Sequence, residues 1–228
     1  MGADMIAADV MVRNVVSVKP DDTVGDVINL LLEHDISAVP VVDDDNKIVG
    51  ILSEADLIHR REIDTEKAHR WWVEAVLPAS KLANEFAKAH GQRVYEVMSP
   101  KVVTAEEDTP LGEIAALLER HRIKRVPIVR DGKLVGIVSR SNLIQALASA
   151  MPHANGPTAA DRQIRLDLLD RLAQQKWTDF GETNVIVKDG VVHLWGLVYT
   201  PDERKALVAL AQEVPSVVSV SDEMIPSY

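Results

Sequence analysis

The chain has no cysteine. This absence excludes disulfide bridges, thiolate metal sites, iron–sulfur clusters and cysteine nucleophiles. Aromatic residues make up only 4% of the 228 residues, so a folded core must be built mainly from aliphatic side chains. No stretch approaches the roughly 18 apolar residues of a membrane span. The first dozen residues carry neither the basic region nor the apolar run of an export signal, so we expect a cytoplasmic protein.

Basic residues are in deficit. The chain has 25 Lys and Arg against 35 Asp and Glu, a formal net charge of −10. This balance disfavours unspecific attraction to nucleic acid or to anionic lipid over the chain as a whole, and we do not expect a nucleic-acid partner. The length exceeds the usual single domain of about 100–150 residues, and therefore predicts one large domain or two smaller ones.

An internal repeat organises the first two thirds of the sequence. Val10–Ile58 and Val97–Ile144 share, in the same order, the segments VM, VV, VP and VGI-x-S. Each copy predicts a βαββα unit, with an amphipathic helix between the first two strands and a polar turn between the last two. The predicted strands are Val15–Val18, Val39–Val42 and Ile48–Leu52 in the first copy, and Val102–Ala105, Val126–Val129 and Leu134–Val138 in the second.

A charged, helix-like connector over 59–94 separates the copies and contains Trp71-Trp72. Packing against their own domain is the favoured interpretation for these tryptophans, with a partner or membrane anchor as the alternative. Beyond a Pro- and Gly-containing linker at 152–158, the pattern predicts αββαβ. The predicted elements are a helix over Asp161–Trp177, strands Asn184–Lys188 and Val191–Trp195 joined by an Asp189-Gly190 turn, a helix over Pro201–Val214 with Thr200 as N-cap and Glu203 completing a capping box, and a strand Val217–Val220.

The paired VP strands and the endings GILSEAD and GIVSRSN resemble a tandem pair of CBS domains, the module named after cystathionine β-synthase. The last seventy residues, with D-x-x-I from Asp161 and V-x-L-x-G over Val192–Gly196, resemble a BON domain, although Ser216-Val217 stands where that pattern usually has Gly-Val. The resemblance implies an α/β (α+β) fold in which the two repeats pack about a pseudo-two-fold axis. The implied domains are a first CBS repeat (1–58), the helical connector (59–94), a second CBS repeat (95–151), the linker (152–158) and a BON-like domain (159–228).

The Ser53-x-x-Asp56 segment is the sharpest local feature. Ser53 ends a strand and opens a helix, so it can cap backbone amides, and the helix N-terminus can take an anion or a sugar hydroxyl. Capping alone is the simpler interpretation. In CBS modules the matching Asp accepts hydrogen bonds from a ribose, and the resemblance carries that role to Asp56. The second copy has Asn142 there, which predicts a weaker or empty second site.

The resemblance also implies that each cleft draws on both repeats. Lys124 and Arg125, just before the second VP strand, would then approach the phosphates, whereas the first copy has neutral Ser37 and Ala38. The alternative is that Lys124 and Arg125 are strand-edge charges that discourage edge-to-edge pairing. The residues expected to line the adenine pocket are Asn14, Val15, Val16, Val39 and Pro40. The weaker second site would be formed by Ser139, Arg140, Asn142, Val102 and Val103, with Arg140 as a further phosphate candidate.

No nucleophile with a base, no acid pair and no histidine pair at metal-ligand spacing is evident. We therefore expect a non-catalytic sensor without a cofactor or metal, whose CBS pair binds AMP, ADP, ATP or S-adenosylmethionine, with Mg²⁺ only alongside ATP. The resemblance implies a homodimer and a BON-like domain that signals to a protein partner or a phospholipid surface. The alternative hypothesis is a dimeric scaffold without a small-molecule ligand.

Overall fold

The computed structural model describes residues 5–58, 91–150, 156–178, 180 and 185–227. Trp71-Trp72 and most of the predicted connector and linker lie outside these residues. The elements are α1 (Ala7–Val10), α2 (Val24–Glu33), β1 (Ala38–Val42), β2 (Ile48–Ser53), α3 (Glu54–Leu57), α4 (Val94–Val97), β3 (Ala105–Glu106), α5 (Leu111–Arg120), β4 (Arg125–Arg130), β5 (Lys133–Ser139), α6 (Arg140–Ala150), α7 (Ala159–Ala173), β6 (Val185–Lys188), β7 (Val191–Val198), α8 (Pro201–Gln212) and β8 (Ser219–Pro226).

The chain divides into two compact units that do not follow the sequence repeats. The first unit comprises Val16–Val102 and Asp131–Leu134, and the second comprises Met1–Val15, Val103–Arg130 and Val135–Tyr228. The V-M segment that opens each repeat therefore lies in the unit built mainly from the other repeat. Helix α1, at the start of the first repeat, belongs to the second unit, and α4, at the start of the second repeat, belongs to the first unit. The BON-like region belongs to the second unit.

In the first unit, β1 and β2 form an antiparallel hairpin on which α2 and α4 pack. Val27 of α2, Val39 of β1 and Val94 of α4 are fully buried in its aliphatic core. The chain after α4 pairs with β2 through reciprocal backbone hydrogen bonds between Ser99 and Ile51. The predicted first strand, Val15–Val18, was too long, because this segment forms only a single parallel bridge from Val18 to β1.

In the second unit, β3, β4 and β5 form a three-stranded sheet in that order, with β3 parallel to β4. Ile114 of α5, Ile128 of β4 and Val138 of β5 share a buried cluster with Ala7 of α1. The chain after α1 pairs with β5 through reciprocal backbone bonds between Val12 and Ile137. The same pairing follows α4 in the first unit, where Ser99 stands in the position of Val12.

The BON-like region of the second unit is a three-stranded sheet, β6-β7-β8, covered on one face by α7 and α8. The predicted Asp189-Gly190 hairpin turn is confirmed, with φ of 52° and 74°. The last strand, β8, runs from Ser219 to Pro226, so it begins later than predicted and is longer. It extends to Pro226 because each of its residues pairs with β7 in a parallel register. The first helix ends at Ala173, four residues before the predicted Trp177.

Asp161, the first residue of the D-x-x-I motif, links α7 to the Asp189-Gly190 turn. The buried Asp161 carboxylate accepts hydrogen bonds from the Thr158 backbone N–H (2.7 Å), the Thr158 hydroxyl (2.8 Å) and the Gly190 N–H (2.7 Å). Burial acts to raise the pKa of Asp161, but these hydrogen bonds outweigh it and hold the pKa below its ordinary value.

At the start of α8, Thr200 caps the helix by accepting from the Glu203 N–H (3.0 Å), and Pro201 is at the first helical position, as predicted. The predicted capping box was wrong in one respect. The Glu203 carboxylate accepts instead from the Tyr199 N–H (2.9 Å) and the Thr178 hydroxyl (2.6 Å), so it links the helix to the segment after α7.

Candidate functional site

The Asp56 carboxylate lies at the junction of β2 and α3 and is partly exposed. Its Oδ2 accepts from the Ser53 backbone N–H (3.1 Å) and the Ser53 hydroxyl (2.8 Å), so Asp56 caps the turn. Its Oδ1 accepts from the Ser99 hydroxyl at 3.1 Å. An ionised carboxylate is an acceptor only, with about four lone-pair positions. Asp56 is therefore able to bind donor groups of a ligand, although Ser53 and Ser99 already donate to it.

The matching position in the second repeat is chemically different. Asn142 Oδ1 accepts from the Ser139 N–H (2.8 Å) and hydroxyl (2.7 Å), which reproduces the turn around Ser53. Asn142 is only 2% exposed, however, whereas Asp56 is partly exposed. The amide also carries no charge and offers a single oxygen. These features favour Asp56 as the polyol acceptor of the two.

Three predicted phosphate-binding residues come together in the second unit. Arg140 opens α6, and its backbone N–H donates to the carbonyl of Lys124 at 3.2 Å. Its guanidinium donates to the carbonyl of Ile123 at 3.1 Å. Lys124 and Arg140 are exposed, and Arg125, the first residue of β4, is partly exposed. We call Lys124, Arg125 and Arg140 the cationic cluster: their backbones lie together where α6 meets the start of β4, and cationic side chains are suited to a phosphate group.

The equivalent position of the first unit carries no such charge. Its Glu54 N–H donates to the Ser37 carbonyl at 3.0 Å, which is the same backbone contact as that between Arg140 and Lys124. Ser37, Ala38 and Glu54 thus stand where the second repeat has the cationic cluster. One negative charge replaces three positive ones, so the charge at this position favours an anionic group in the second repeat and disfavours it in the first.

The residues expected to line an adenine pocket are distributed over both units. Asn14 is exposed and Val15 partly exposed at the end of the second unit's first segment, and Val16 begins the first unit. Val39 and Pro40 are buried in β1, and the Pro40 carbonyl accepts from the Val18 N–H at 3.1 Å. Contacts from Val39 to a ligand would therefore come from its backbone, since its side chain is 0% exposed. Of the second-site candidates, Val102 and Val103 are both partly exposed.

Sequence reasoning missed a buried arginine that joins the BON-like region to α1. Arg165 of α7 is 3% exposed. Its guanidinium donates to three carbonyl oxygens, those of Val185 (2.9 Å), Met11 (3.0 Å) and Ala8 (3.3 Å). A signal for it was present, since Arg165 lies on the apolar stripe that Ile164 and Leu168 define, where a charge must be paired.

An ion pair between α7 and α1 strengthens the same contact. Arg162 donates to both oxygens of Asp9 at 2.6 and 3.0 Å, and Asp9 is 2% exposed. The hydrogen bond to Asp9 raises the pKa of Arg162. Ile186 of β6 joins the cluster formed by α1 and the second repeat, and the Trp195 indole donates to Ser149 of α6 at 3.2 Å. The BON-like sheet is therefore covered on its second face by the second CBS repeat.

None of the helices in the described part of the chain is both long and apolar enough to cross a bilayer.

Comparison with known protein families agrees with this architecture. A CBS domain model matches residues 7–62 and again 94–149, and a BON domain model matches residues 160–225.

Several relatives share the paired CBS domains. An uncharacterised protein of Methanocaldococcus jannaschii is 32% identical over 162 residues, which cover 64% of this chain and 93% of that protein. The chloroplastic CBS domain-containing protein CBSX1 of Arabidopsis thaliana is 35% identical over 135 residues, 57% of either chain. Inosine-5'-monophosphate dehydrogenase of M. jannaschii is 32% identical over 140 residues, but only 23% of the enzyme is covered.

Among solved structures, CBSX2 in complex with AMP is 31% identical and superposes with a TM-score of 0.55, covering 63% of this chain and 97% of that one. The chain therefore belongs to the CBS-domain proteins and carries two CBS domains followed by a BON domain.

Proposed function

We propose that this protein is a non-catalytic regulator whose CBS domains bind an adenosine nucleotide. The observation that carries the proposal is the partly exposed Asp56 carboxylate at the Ser53 turn, the position that holds a ribose in the family. The cationic cluster supports it, because it supplies the charge that a nucleotide phosphate requires. The similarity to CBSX2, which was solved with AMP, favours an adenine nucleotide as the ligand class.

In this proposal each predicted group has a separate role. Asp56 accepts the ribose hydroxyls, Lys124 and Arg125 bind phosphate, and the backbone from Asn14 to Val16 contacts the base. The assignment of these groups to one ligand rests on the family resemblance. A second site built on Asn142 is weaker, because a buried amide replaces the carboxylate.

The contacts of α1 give a route from ligand to BON domain. Asn14 and Val15 follow Met11 by three and four residues, and the Met11 carbonyl accepts from Arg165 of the BON domain. A ligand that binds one conformation of this segment more tightly than another would shift the conformational equilibrium of the BON domain. The free energy of that shift cannot exceed the difference between the ligand's binding free energies for the two conformations. We propose that the BON domain passes the signal to a protein or phospholipid partner, and that the protein is a cytoplasmic homodimer.

A thermal-shift panel with AMP, ADP, ATP and S-adenosylmethionine, each with and without Mg²⁺, tests the proposal. A ligand at about 100 times its Kd stabilises the native state by about 2.7 kcal/mol. Asp56→Asn is the matched variant, because Asn142 shows that an asparagine keeps the turn with its serine. The expected result is a nucleotide shift in the wild type that Asp56→Asn and Lys124→Ala/Arg125→Ala reduce. Glu33→Ala, which removes an exposed carboxylate of α2, should leave it unchanged.

Absence of any shift with all four ligands would contradict the proposal and favour the scaffold, in which the BON domain alone binds a partner. A shift that persists fully in Asp56→Asn would place the ligand elsewhere.

A further inference from the structure

A cavity of about 480 Å³ lies in the BON domain, between the segment that follows α7, the end of β7 and the start of α8. This volume is within the range of small-molecule binding sites. Three of its eight described lining residues are aromatic, Trp177, Phe180 and Tyr199, although aromatic residues make up only 4% of the chain. None of the described lining residues belongs to the proposed nucleotide site. The cavity is therefore a separate candidate for ligand binding.

Two of the three aromatic rings are accessible to a ligand. Trp177 is 45% and Tyr199 is 65% exposed, whereas Phe180 is 5% exposed and belongs to the buried core of the domain. The Trp177 indole N–H donates to the Gln175 side chain at 2.9 Å, so its polar edge has a partner within the chain. The electron-rich face of an indole or phenol ring attracts a positive charge. Trp177 and Tyr199 are therefore suited to a cationic ligand.

A carboxylate on the wall of the cavity adds the matching charge. Glu203 is partly exposed, and each of its oxygens accepts one hydrogen bond, Oε1 from the Thr178 hydroxyl (2.6 Å) and Oε2 from the Tyr199 N–H (2.9 Å). These bonds tie the carboxylate to the two segments that carry the accessible rings. In the described part of the chain, the cation on this wall, Lys176, is exposed and forms no ion pair with Glu203. The charge of Glu203 is therefore available to a ligand.

The start of α8 does not offer the cavity an anion site. The Thr200 hydroxyl caps the helix by accepting from the Glu203 N–H at 3.0 Å. Asp202 and Glu203 then place two negative charges in the first turn, where they complement the positive end of the helix dipole. An anionic ligand would be repelled by these carboxylates, and a cationic ligand would be attracted by them.

We propose that this cavity binds an organic cation, an alkylated ammonium group carried on an apolar body. The rings of Trp177 and Tyr199 contact the ammonium group, the Glu203 carboxylate supplies the opposite charge, and Leu197, which is 53% exposed, contacts the apolar body. This site goes beyond the proposed nucleotide binding and does not depend on it.

Titration calorimetry with choline and with its uncharged analogue 3,3-dimethylbutan-1-ol tests the inference on the full chain. The two molecules have the same shape, but a carbon replaces the charged nitrogen in the second. The wild type should bind choline at least about tenfold more tightly, because only choline gains from the rings and the carboxylate. Benzyltrimethylammonium should bind more tightly than choline, since its aromatic body buries more apolar surface.

Variants of the wall locate the site. Tyr199→Leu should weaken choline binding roughly two- to fivefold, the equivalent of one exposed cation–π contact, and Tyr199→Phe should retain it. Glu203→Gln keeps the shape of the side chain and should weaken binding further. Tyr95→Leu and Glu213→Gln, at exposed positions outside the cavity, are the matched controls and should bind as the wild type does. Unfolding in urea checks that each variant is folded; Tyr199→Leu keeps the backbone N–H that binds Glu203.

Three results would overturn the inference. Equal affinities for choline and its uncharged analogue would show an apolar cavity without preference for a cation. Undiminished choline binding in both Tyr199→Leu and Glu203→Gln would place the cation elsewhere, and failure of the wild type to bind either choline or benzyltrimethylammonium would reject the ligand class. Nucleotide binding is measured separately by the thermal-shift panel and is unaffected by any of these results.

Sedimentation with phosphatidylcholine vesicles separates two sources of the same ammonium group, both of which agree with the site. Co-sedimentation that free choline abolishes would identify a lipid headgroup as the ligand. Choline binding without co-sedimentation would identify a free small molecule.

Discussion

The buried Arg165 should contribute a large share of the polar energy that joins the BON domain to α1. Replacing it by methionine keeps an unbranched apolar stem but removes the guanidinium. The carbonyls of Val185, Met11 and Ala8 would each lose a donor. A buried acceptor left without a partner costs about 1–3 kcal/mol. We take the low end of that range, because removing the buried charge of Arg165 offsets part of the cost. Summed over three carbonyls, it predicts that Arg165→Met lowers the free energy of unfolding by roughly 3 kcal/mol.

Urea unfolding followed by far-UV circular dichroism and by tryptophan fluorescence measures this loss. Trp195 adds a local signal to the fluorescence of the chain's four tryptophans, since its indole contacts Ser149 beside the same interface. Arg120→Met on the exposed surface of α5 is the matched control and should change the stability by less than about 0.5 kcal/mol. If Arg165→Met were as stable as the control, the three carbonyls would not depend on the guanidinium, and the route proposed from α1 to the BON domain would have no energetic basis.

Two further predictions concern the BON domain. The lowered pKa of Asp161 stabilises the fold above the ordinary carboxyl pKa of 3.8, and this stabilisation is lost as the pH falls through the lowered folded value. The stability difference between wild type and Asp161→Asn in urea should therefore shrink from about pH 5 to about pH 3; a constant difference would contradict this. Ser216 has φ of 69°, so Ser216→Gly should raise the stability by about 1 kcal/mol, whereas Ser219→Gly within β8 should lower it. A lower urea midpoint for Ser216→Gly would refute the assignment of strain to Ser216.

Ser216 also shows what a departure from a family pattern means physically. The BON pattern usually has glycine at this position, and the structure places the serine in the left-handed region that favours glycine. The local geometry is thus kept, at a cost in backbone strain, and the last strand still forms alongside β7. A mismatch at one residue did not signal a different fold.

The elements that the sequence predicted well are those specified by neighbours in the chain. The Asp189-Gly190 turn and the Thr200 cap follow from backbone preferences within a few residues. The extent of β8 was missed because its residues from Ser221 to Glu223 are polar, and only pairing with β7 makes them a strand. The strand predicted over Val15–Val18 failed for the converse reason. The segment is apolar and suited to a strand, but only Val18 pairs with β1, in an isolated bridge to Val41.

The candidate site divides in the same way. The role of Ser53 as a partner of Asp56 was readable from their spacing of three residues. Ser99 lies 43 positions from Asp56, and Arg165 lies 154 from Met11, so no periodic pattern links either pair. Each nevertheless left a trace that physical reasoning can use. Arg165 is a charge on an apolar helical stripe, and Ser99 is a hydroxyl where the other repeat has valine. In a duplicated sequence, a position where the two copies share a backbone role but differ in side-chain chemistry is therefore a good place to search for asymmetric function.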